Sequence, residues 1–180
     1  MLVSWIWQPR GMAAKSSTTL SPARRSAAEV PGRPCSIATS LSIIGERWTL
    51  LVVREIGLGN TRFSQIASAT GAPRDILTAR LRGMEANNIV FRKRYSEHPP
   101  RYEYRLTDAG EDLFPLLAMM RAWGDRWLVD EPPVAFTHTC GHEIAVVPRC
   151  PHCETDVDLT DRAAVAATTE NAEWLSHNRS

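Results

Sequence analysis

The sequence predicts a mainly α-helical domain closed by a single β-hairpin, and three observations predict it. Apolar residues recur with a 3.6-residue period between residues 35 and 85, punctuated by glycines. After Asn88 the period changes to two through a pair of aromatic-rich runs. From Thr107 to about Leu128 the helical period returns.

Each element follows from its residues. In SIATSLSIIG, residues 36–45, Ile37, Leu41 and Ile44 share one helix face. ERWTLLVVREIGLG, residues 46–59, continues the period with Trp48, Leu51, Val52 and Glu55 or Ile56, and Gly57 and Gly59 supply a stop. RFSQIASAT, residues 62–70, is a short third helix with Phe63, Ile66 and Ala67 inward, and Thr70 with Gly71 makes a tight corner. In TGAPRDILTARLRGME, residues 70–85, Leu77, Leu81 and Met84 form one face, suited to hold this helix to the one at 62–69. Arg74, Thr78 and Arg82 stand at i, i+4 and i+8 on the opposite face. Pro73 suits the first helical turn. Gly83 costs about 1 kcal/mol against alanine in mid-helix, and nothing in the sequence accounts for it.

IVFRKRYS and RYEYRLT read as two strands, with EHPP between them as a loop. The hairpin interleaves Arg92, Lys93, Arg94, Arg101 and Arg105 with Phe91, Tyr95, Tyr102 and Tyr104. Thr107 reads as an N-cap, with Asp108, Glu111 and Asp112 at the positive end of the helix dipole. One long helix is expected from there to Leu128, carrying Leu113, Leu116, Leu117, Met120, Trp123 and Trp127, with Pro115 tolerated near its first turns. EPP at 131–133 ends it and acts as a linker.

The net charge of +1 hides an asymmetry. Residues 1–34 carry net +4, residues 60–105 net +5, residues 106–128 net −2 and residues 129–180 net −6. Positive charge is thus concentrated where the arginine-bearing helix and the hairpin lie, as a polyanion site requires. Residues 1–34, rich in Ser, Ala, Pro and Arg, are expected to be a disordered basic arm. Met12 is an equally good start, and a transit peptide is the lesser reading of the arm. With 43% hydrophobic and 23% charged residues, no secretory signal and no apolar run long enough to span a bilayer, the chain reads as cytoplasmic and without a membrane partner.

The order of helix, helix, short helix, glycine corner, longer helix and basic hairpin is that of a winged helix-turn-helix. The helix after the corner becomes the recognition helix, placed for the DNA major groove, where arginine bonds guanine O6 and N7. The expected DNA contacts are Arg62, Arg74, Thr78 and Arg82 from the helices, and Arg92, Lys93, Arg94, His98 and Arg101 from the wing. The wing is expected on the backbone or minor groove. The competing class is an RNA-binding or protein-recruiting adaptor, which selective binding to a duplex palindrome would exclude. No nucleophile, base and acid come together in the sequence, so an enzyme is not expected.

Residues 35–128 resemble the HxlR-type family of bacterial transcriptional regulators. The marks are Cys35 opening the first helix, IGERW at 44–48, RFSQI at 62–66, ILTARLRGME at 76–85, PPRYEYRLTDAG at 99–110 and AW at 122–123. The resemblance implies a homodimer paired through the N-terminal and C-terminal helices, acting on an inverted-repeat operator, most simply as a repressor. It leaves the small-molecule or redox effector unspecified. Where the family usually has a hydroxyl residue near the start of the recognition helix, this chain has Pro73, which shifts the expected contacts to Arg74 and Thr78.

The remaining signal is HTCGHEIAVVPRCPHC, residues 138–153. Residues 131–160 read as a small zinc-ribbon-like module, followed by an acidic tail over 161–180. Cys140, Cys150 and Cys153 with His142 or His138 would supply four ligands to one structural zinc per subunit. A redox dithiol and a metal-free hairpin of reduced thiols compete with it. Cys35 stands alone at a helix N-terminus; it reads first as a packed thiol, and second as an oxidant sensor of the kind found in some members of the family.

Overall fold

The helical period of residues 36–57 resolves into α1 (Ser36–Ile44) and α2 (Arg47–Gly57), joined at Gly45 and Glu46. The computed structural model describes Arg24 and residues 34–161. The basic arm and the acidic tail fall outside the described residues, apart from Arg24, Pro34 and Asp161. Next come α3 (Phe63–Thr70), α4 (Arg74–Ala86), β1 (Val90–Ser96), β2 (Arg101–Leu106), α5 (Asp108–Glu111) and α6 (Phe114–Trp127).

The core forms where these elements meet. Val52, Val53, Ile66 and Leu77 are fully buried, with Leu81, Met84, Ile89 and Val90 around them. Gly71 closes α3 in the left-handed region at φ 70°, which a side chain would strain, and so turns the chain into α4. The expected apolar face of α4 is buried as its spacing requires, but its main packing partners are α2 and β1 rather than α3. Pro73 stands one position before the helix, as its N-cap, and its carbonyl accepts from Leu77 N at 2.8 Å. Glu55 is buried within α2, and its carboxylate is answered by Arg54 Nε at 2.8 Å and Asn60 Nδ2 at 2.7 Å. A buried carboxylate without such donors would be costly.

β1 and β2 pair antiparallel, with Val90 opposite Leu106, Arg92 opposite Tyr104 and Lys93 opposite Glu103. The register shifts between Arg94 and Ser96, so Tyr95 is the extra residue of a bulge. Beyond β2, Tyr104 N donates to Thr61 O at 2.7 Å, which ties the wing to the start of α3.

Thr107 is the junction of the fold. Its buried hydroxyl donates to Asn88 O at 2.6 Å, lies 3.2 Å from Ile89 O, and accepts from Gly110 N at 3.2 Å. The cap expected there is therefore present. The single helix expected from residue 108 to 128 is not: α5 ends at Glu111, Asp112 and Leu113 intervene, and α6 starts at Phe114. Pro115 is the reason. In one continuous helix it would lack the N–H owed to the Glu111 carbonyl and its ring would press on that carbonyl. Placed in the first turn of a new helix, it breaks no bond.

On α1 only Ile44 is buried, while Ile37 and Leu41 lie open to solvent. Trp123 and Trp127 of α6 are likewise exposed. Phe114 instead anchors α6 on α2, where a Cβ on Gly57 would lie 2.5 Å from its ring. Beyond α6, residues 134–161 form turns held by two isolated antiparallel bridges, Thr137 with Glu143 and Arg149 with Asp156.

Candidate nucleic-acid interface

The sequence places nine candidate contact residues at the start of α3, on α4 and on the hairpin. Core packing of Leu77, Leu81 and Met84 turns the opposite side of α4 outward. That outer side presents Arg74 and Arg82, both exposed, beside the small residues Ala79, Gly83 and Ala86. Arg82 has no hydrogen bond or ion pair among the described residues, and its charge acts on the Tyr104 hydroxyl. A Cβ on Gly83 would meet nothing within 4 Å.

The other candidates are held by neighbours. The Arg74 guanidinium lies 5.0 Å from the Phe63 ring centroid, and that of Arg62 lies 4.7 Å from the Tyr95 ring. Both arginines are thus positioned by aromatic faces while their N–H groups stay available. Thr78 is half-buried and donates its hydroxyl to Arg74 O at 2.7 Å, which leaves that oxygen able to accept.

In the wing, Arg92 Nε donates to Glu85 Oε1 at 2.7 Å, and this bond and charge raise the arginine's pKa. Arg94 is folded back on the loop, donating to Glu97 O at 3.1 Å and pairing with Glu97 Oε2 at 2.9 Å. Glu103, half-buried, takes Arg105 Nη2 at 2.8 Å, and that bond holds its carboxyl below the usual range. Lys93, His98 and Arg101 are exposed. Burial raises the Tyr104 hydroxyl's pKa, with the Glu85 charge adding to it.

Between α4 and the wing lies a groove of about 420 Å³, lined by Glu85, Asn88, Val90, Phe91, Arg92 and Tyr102. The ion pair of Glu85 with Arg92 sits in it. Sequence spacing did not single out Glu85, because the pairing joins residues on two elements and arises only from the fold.

The cysteines are placed in three locations. Cys35 is the N-cap of α1, and its carbonyl accepts from Thr39 N at 3.0 Å. Cys140 Sγ lies 3.6 Å from His142 Nδ1. Cys150 and Cys153 share a second turn, where hydrogen bonds from the Thr155 side chain and backbone, then from the Cys150 thiol, lower the Cys153 pKa to about 7. Among the described residues no three or more His, Cys, Asp or Glu side chains converge.

Arg121 was not singled out by sequence either. It reaches from α6 to the tail, with Nη1 donating to Val134 O at 3.0 Å and lying 3.6 Å from Glu143 Oε1. Its guanidinium also covers the Phe136 ring at 5.0 Å. An arginine amid the apolar residues of α6, with Asp125 four positions on, was the available signal.

Among the described residues no single helix is long and apolar enough to cross a membrane. The family model described as HxlR-like helix-turn-helix matches residues 43–132. An uncharacterized HTH-type transcriptional regulator of Mycobacterium tuberculosis is 41% identical over 125 residues, covering 68% of this chain and 79% of that protein. The crystal structure of a candidate transcription factor, PA1607, aligns with a TM-score of 0.66 at 30% identity, covering 76% of this chain and 95% of the other. A second candidate transcription factor, from Pseudomonas aeruginosa, aligns with a TM-score of 0.56 at 27% identity, covering 79% of this chain and 99% of the other.

Proposed function

Because the chain belongs to the HxlR-like helix-turn-helix family of DNA-binding transcriptional regulators, which are not enzymes, we propose that it acts as a homodimeric repressor on an inverted-repeat operator. Each α4 enters the major groove of one half-site, with Arg74, Thr78 and Arg82 at base edges and phosphates. The small residues Ala79, Gly83 and Ala86 let the helix approach the groove closely. The wing lies along the backbone or minor groove, with Arg92, Lys93, Arg94, His98 and Arg101 toward phosphate, and Arg62 joins them from the start of α3.

One observation carries the dimer. Leu116, Met120, Trp123 and Trp127 stand at i, i+4, i+7 and i+11 on α6 and are 38%, 50%, 59% and 63% exposed. Ile37 and Leu41 extend apolar surface on α1. A patch of this kind marks an interface on a folded domain. Pairing it about a two-fold axis gives the symmetry that an inverted repeat matches, with half-sites about one helical turn apart.

The test is light scattering of the protein and its Trp127→Glu variant at micromolar concentration, with footprinting on DNA upstream of the gene with and without oxidant. A dimer that the variant dissociates, and protection of two symmetric half-sites, is the expected result. A monomeric wild type, or protection of a single site without symmetry, would overturn it.

A further inference from the structure

We propose that the tail holds one structural zinc ion, ligated by Cys140, His142, Cys150 and Cys153. This stands apart from the DNA-binding reading and does not depend on it. It rests on two turns, each of which already presents a pair of soft or borderline donors.

The first turn is bracketed by the bridge of Thr137 with Glu143. His138 N donates to His142 O at 2.8 Å and Gly141 N to His138 O at 2.9 Å, with Gly141 at φ 88°. Within it Cys140 Sγ and His142 Nδ1 are 3.6 Å apart. Tetrahedral zinc with bonds of about 2.3 Å to sulfur and about 2.0–2.1 Å to nitrogen has an S···N edge of about 3.6 Å. The two atoms are therefore spaced as neighbouring ligands of one ion.

The second turn is bracketed by the bridge of Arg149 with Asp156. Cys150 N donates to Thr155 O at 2.9 Å and Glu154 N to Cys150 O at 2.8 Å, with Glu154 in the left-handed region at φ 56°. Cys150 and Cys153 stand three positions apart across this turn, the C-x-x-C spacing that presents two thiols to one ion. The Thr155 hydroxyl lies 3.0 Å from Cys153 Sγ.

The geometry also separates the two histidines that sequence spacing left open. His138 Nδ1 accepts the Cys140 N–H at 3.3 Å. An accepting Nδ1 leaves the proton of a neutral ring on Nε2, so neither nitrogen has a lone pair to spare. His142 turns its Nδ1 to the Cys140 sulfur instead.

Zinc's work would be to bring the two pairs together. Val134, Phe136, Ile144, Val146, Val147 and Leu159 are all exposed, so this segment has no core of its own to do so. On binding, the three thiols release three protons to solvent and His142 contributes a neutral lone pair, leaving a site of net charge −1. Four protein ligands leave no open position, which makes the role structural. Three sulfurs and one imidazole select zinc over magnesium or calcium.

The experiment uses the full chain produced in zinc-supplied medium. Native mass spectrometry is expected to find one zinc per subunit in the wild type and in His138→Ala, and none in His142→Ala. Cobalt(II) added to chelator-treated wild type is expected to give the thiolate charge-transfer and intense visible bands of a tetrahedral site. Thiol titration should find one reactive thiol, Cys35, in the zinc protein and four after chelation. A wild type without zinc and with four free thiols would overturn the proposal, as would a Cys150–Cys153 disulfide in the protein purified under reducing conditions. Metal retained by His142→Ala but lost from His138→Ala would overturn the ligand assignment.

Discussion

Arg92 of the wing and Glu85 of the recognition helix face each other at 2.7 Å, so the free protein spends one of its basic wing residues on its own carboxylate. The arginine is half-exposed, and such a pair contributes only about 0–1 kcal/mol to folding. DNA phosphate must displace Glu85 to claim Arg92. Glu85→Gln is therefore expected to tighten binding to all sequences by about 1 kcal/mol, and to steepen the salt dependence by about one counterion. Fluorescence anisotropy at several salt concentrations measures both. Unchanged affinity and slope would mean that Arg92 does not reach DNA.

Arg82 and Lys93 should divide the labour. Arg82→Ala is expected to cost about 1–3 kcal/mol and to relax preference at particular base pairs. Lys93→Ala should weaken operator and random DNA alike and flatten the salt slope by about one unit. Binding to a panel of operator variants distinguishes them; identical behaviour of the two substitutions would remove the assigned roles.

Gly83 is a position where stability has been left unclaimed. It lies on the outer side of α4 with open space where a Cβ would go. Gly83→Ala should raise stability by about 0.4–1 kcal/mol and the melting temperature by about 2–4 °C. Calorimetry of the pair decides it, and a lower melting temperature would mean that the space beside Gly83 is not open in the free protein.

Gly57 makes the opposite case. A methyl group there would meet the Phe114 ring at 2.5 Å. Overpacking of this kind costs about 1–3 kcal/mol, which exceeds the helix propensity that alanine returns. Gly57→Ala is expected to destabilise the fold, and Phe114→Leu in the same chain should recover part of the loss. Urea titration of the two single variants and the double variant gives the coupling; strict additivity would mean that α6 does not rest on Gly57.

Cys153 sets a pH prediction. Its thiol pKa is lowered to about 7, so in chelator-treated protein it is protonated and inert below that pH and a nucleophilic thiolate above it. Alkylation followed by mass spectrometry should show Cys153 labelling rise through pH of about 7. A rise only in the alkaline range of an ordinary thiol would contradict the hydrogen bonds from Thr155 and Cys150.

Much of the DNA-reading half was legible because each signal there is local. Gly71, the spacing of Leu77, Leu81 and Met84, and the alternation of residues 89–107 depend only on neighbours in the chain. The break before Phe114 was missed because the apolar stripe from Leu113 to Trp127 looks continuous, whereas the effect of Pro115 falls four residues back, on Glu111. The surroundings of Ile37 and Leu41 were not legible for a different reason. Periodicity shows which face of a helix is apolar, but not what covers it. The arginines were legible by type and spacing, while their partners were not. Arg92 with Glu85 and Arg121 with Val134 and Glu143 join elements that only tertiary packing brings together.

The joint at Asp112 and Leu113 divides the molecule in a way that bears on operator choice. On one side α5 is fastened through Thr107 to the end of α4 and the base of the wing. On the other, α6 carries the apolar surface proposed for the partner. In the dimer proposed above, the angle between α5 and α6 at these two residues sets the distance between the two reading heads. A change in that angle would retune the centre-to-centre spacing of the half-sites while leaving the bases read within each half unaltered, so the two parts of the operator code can drift independently.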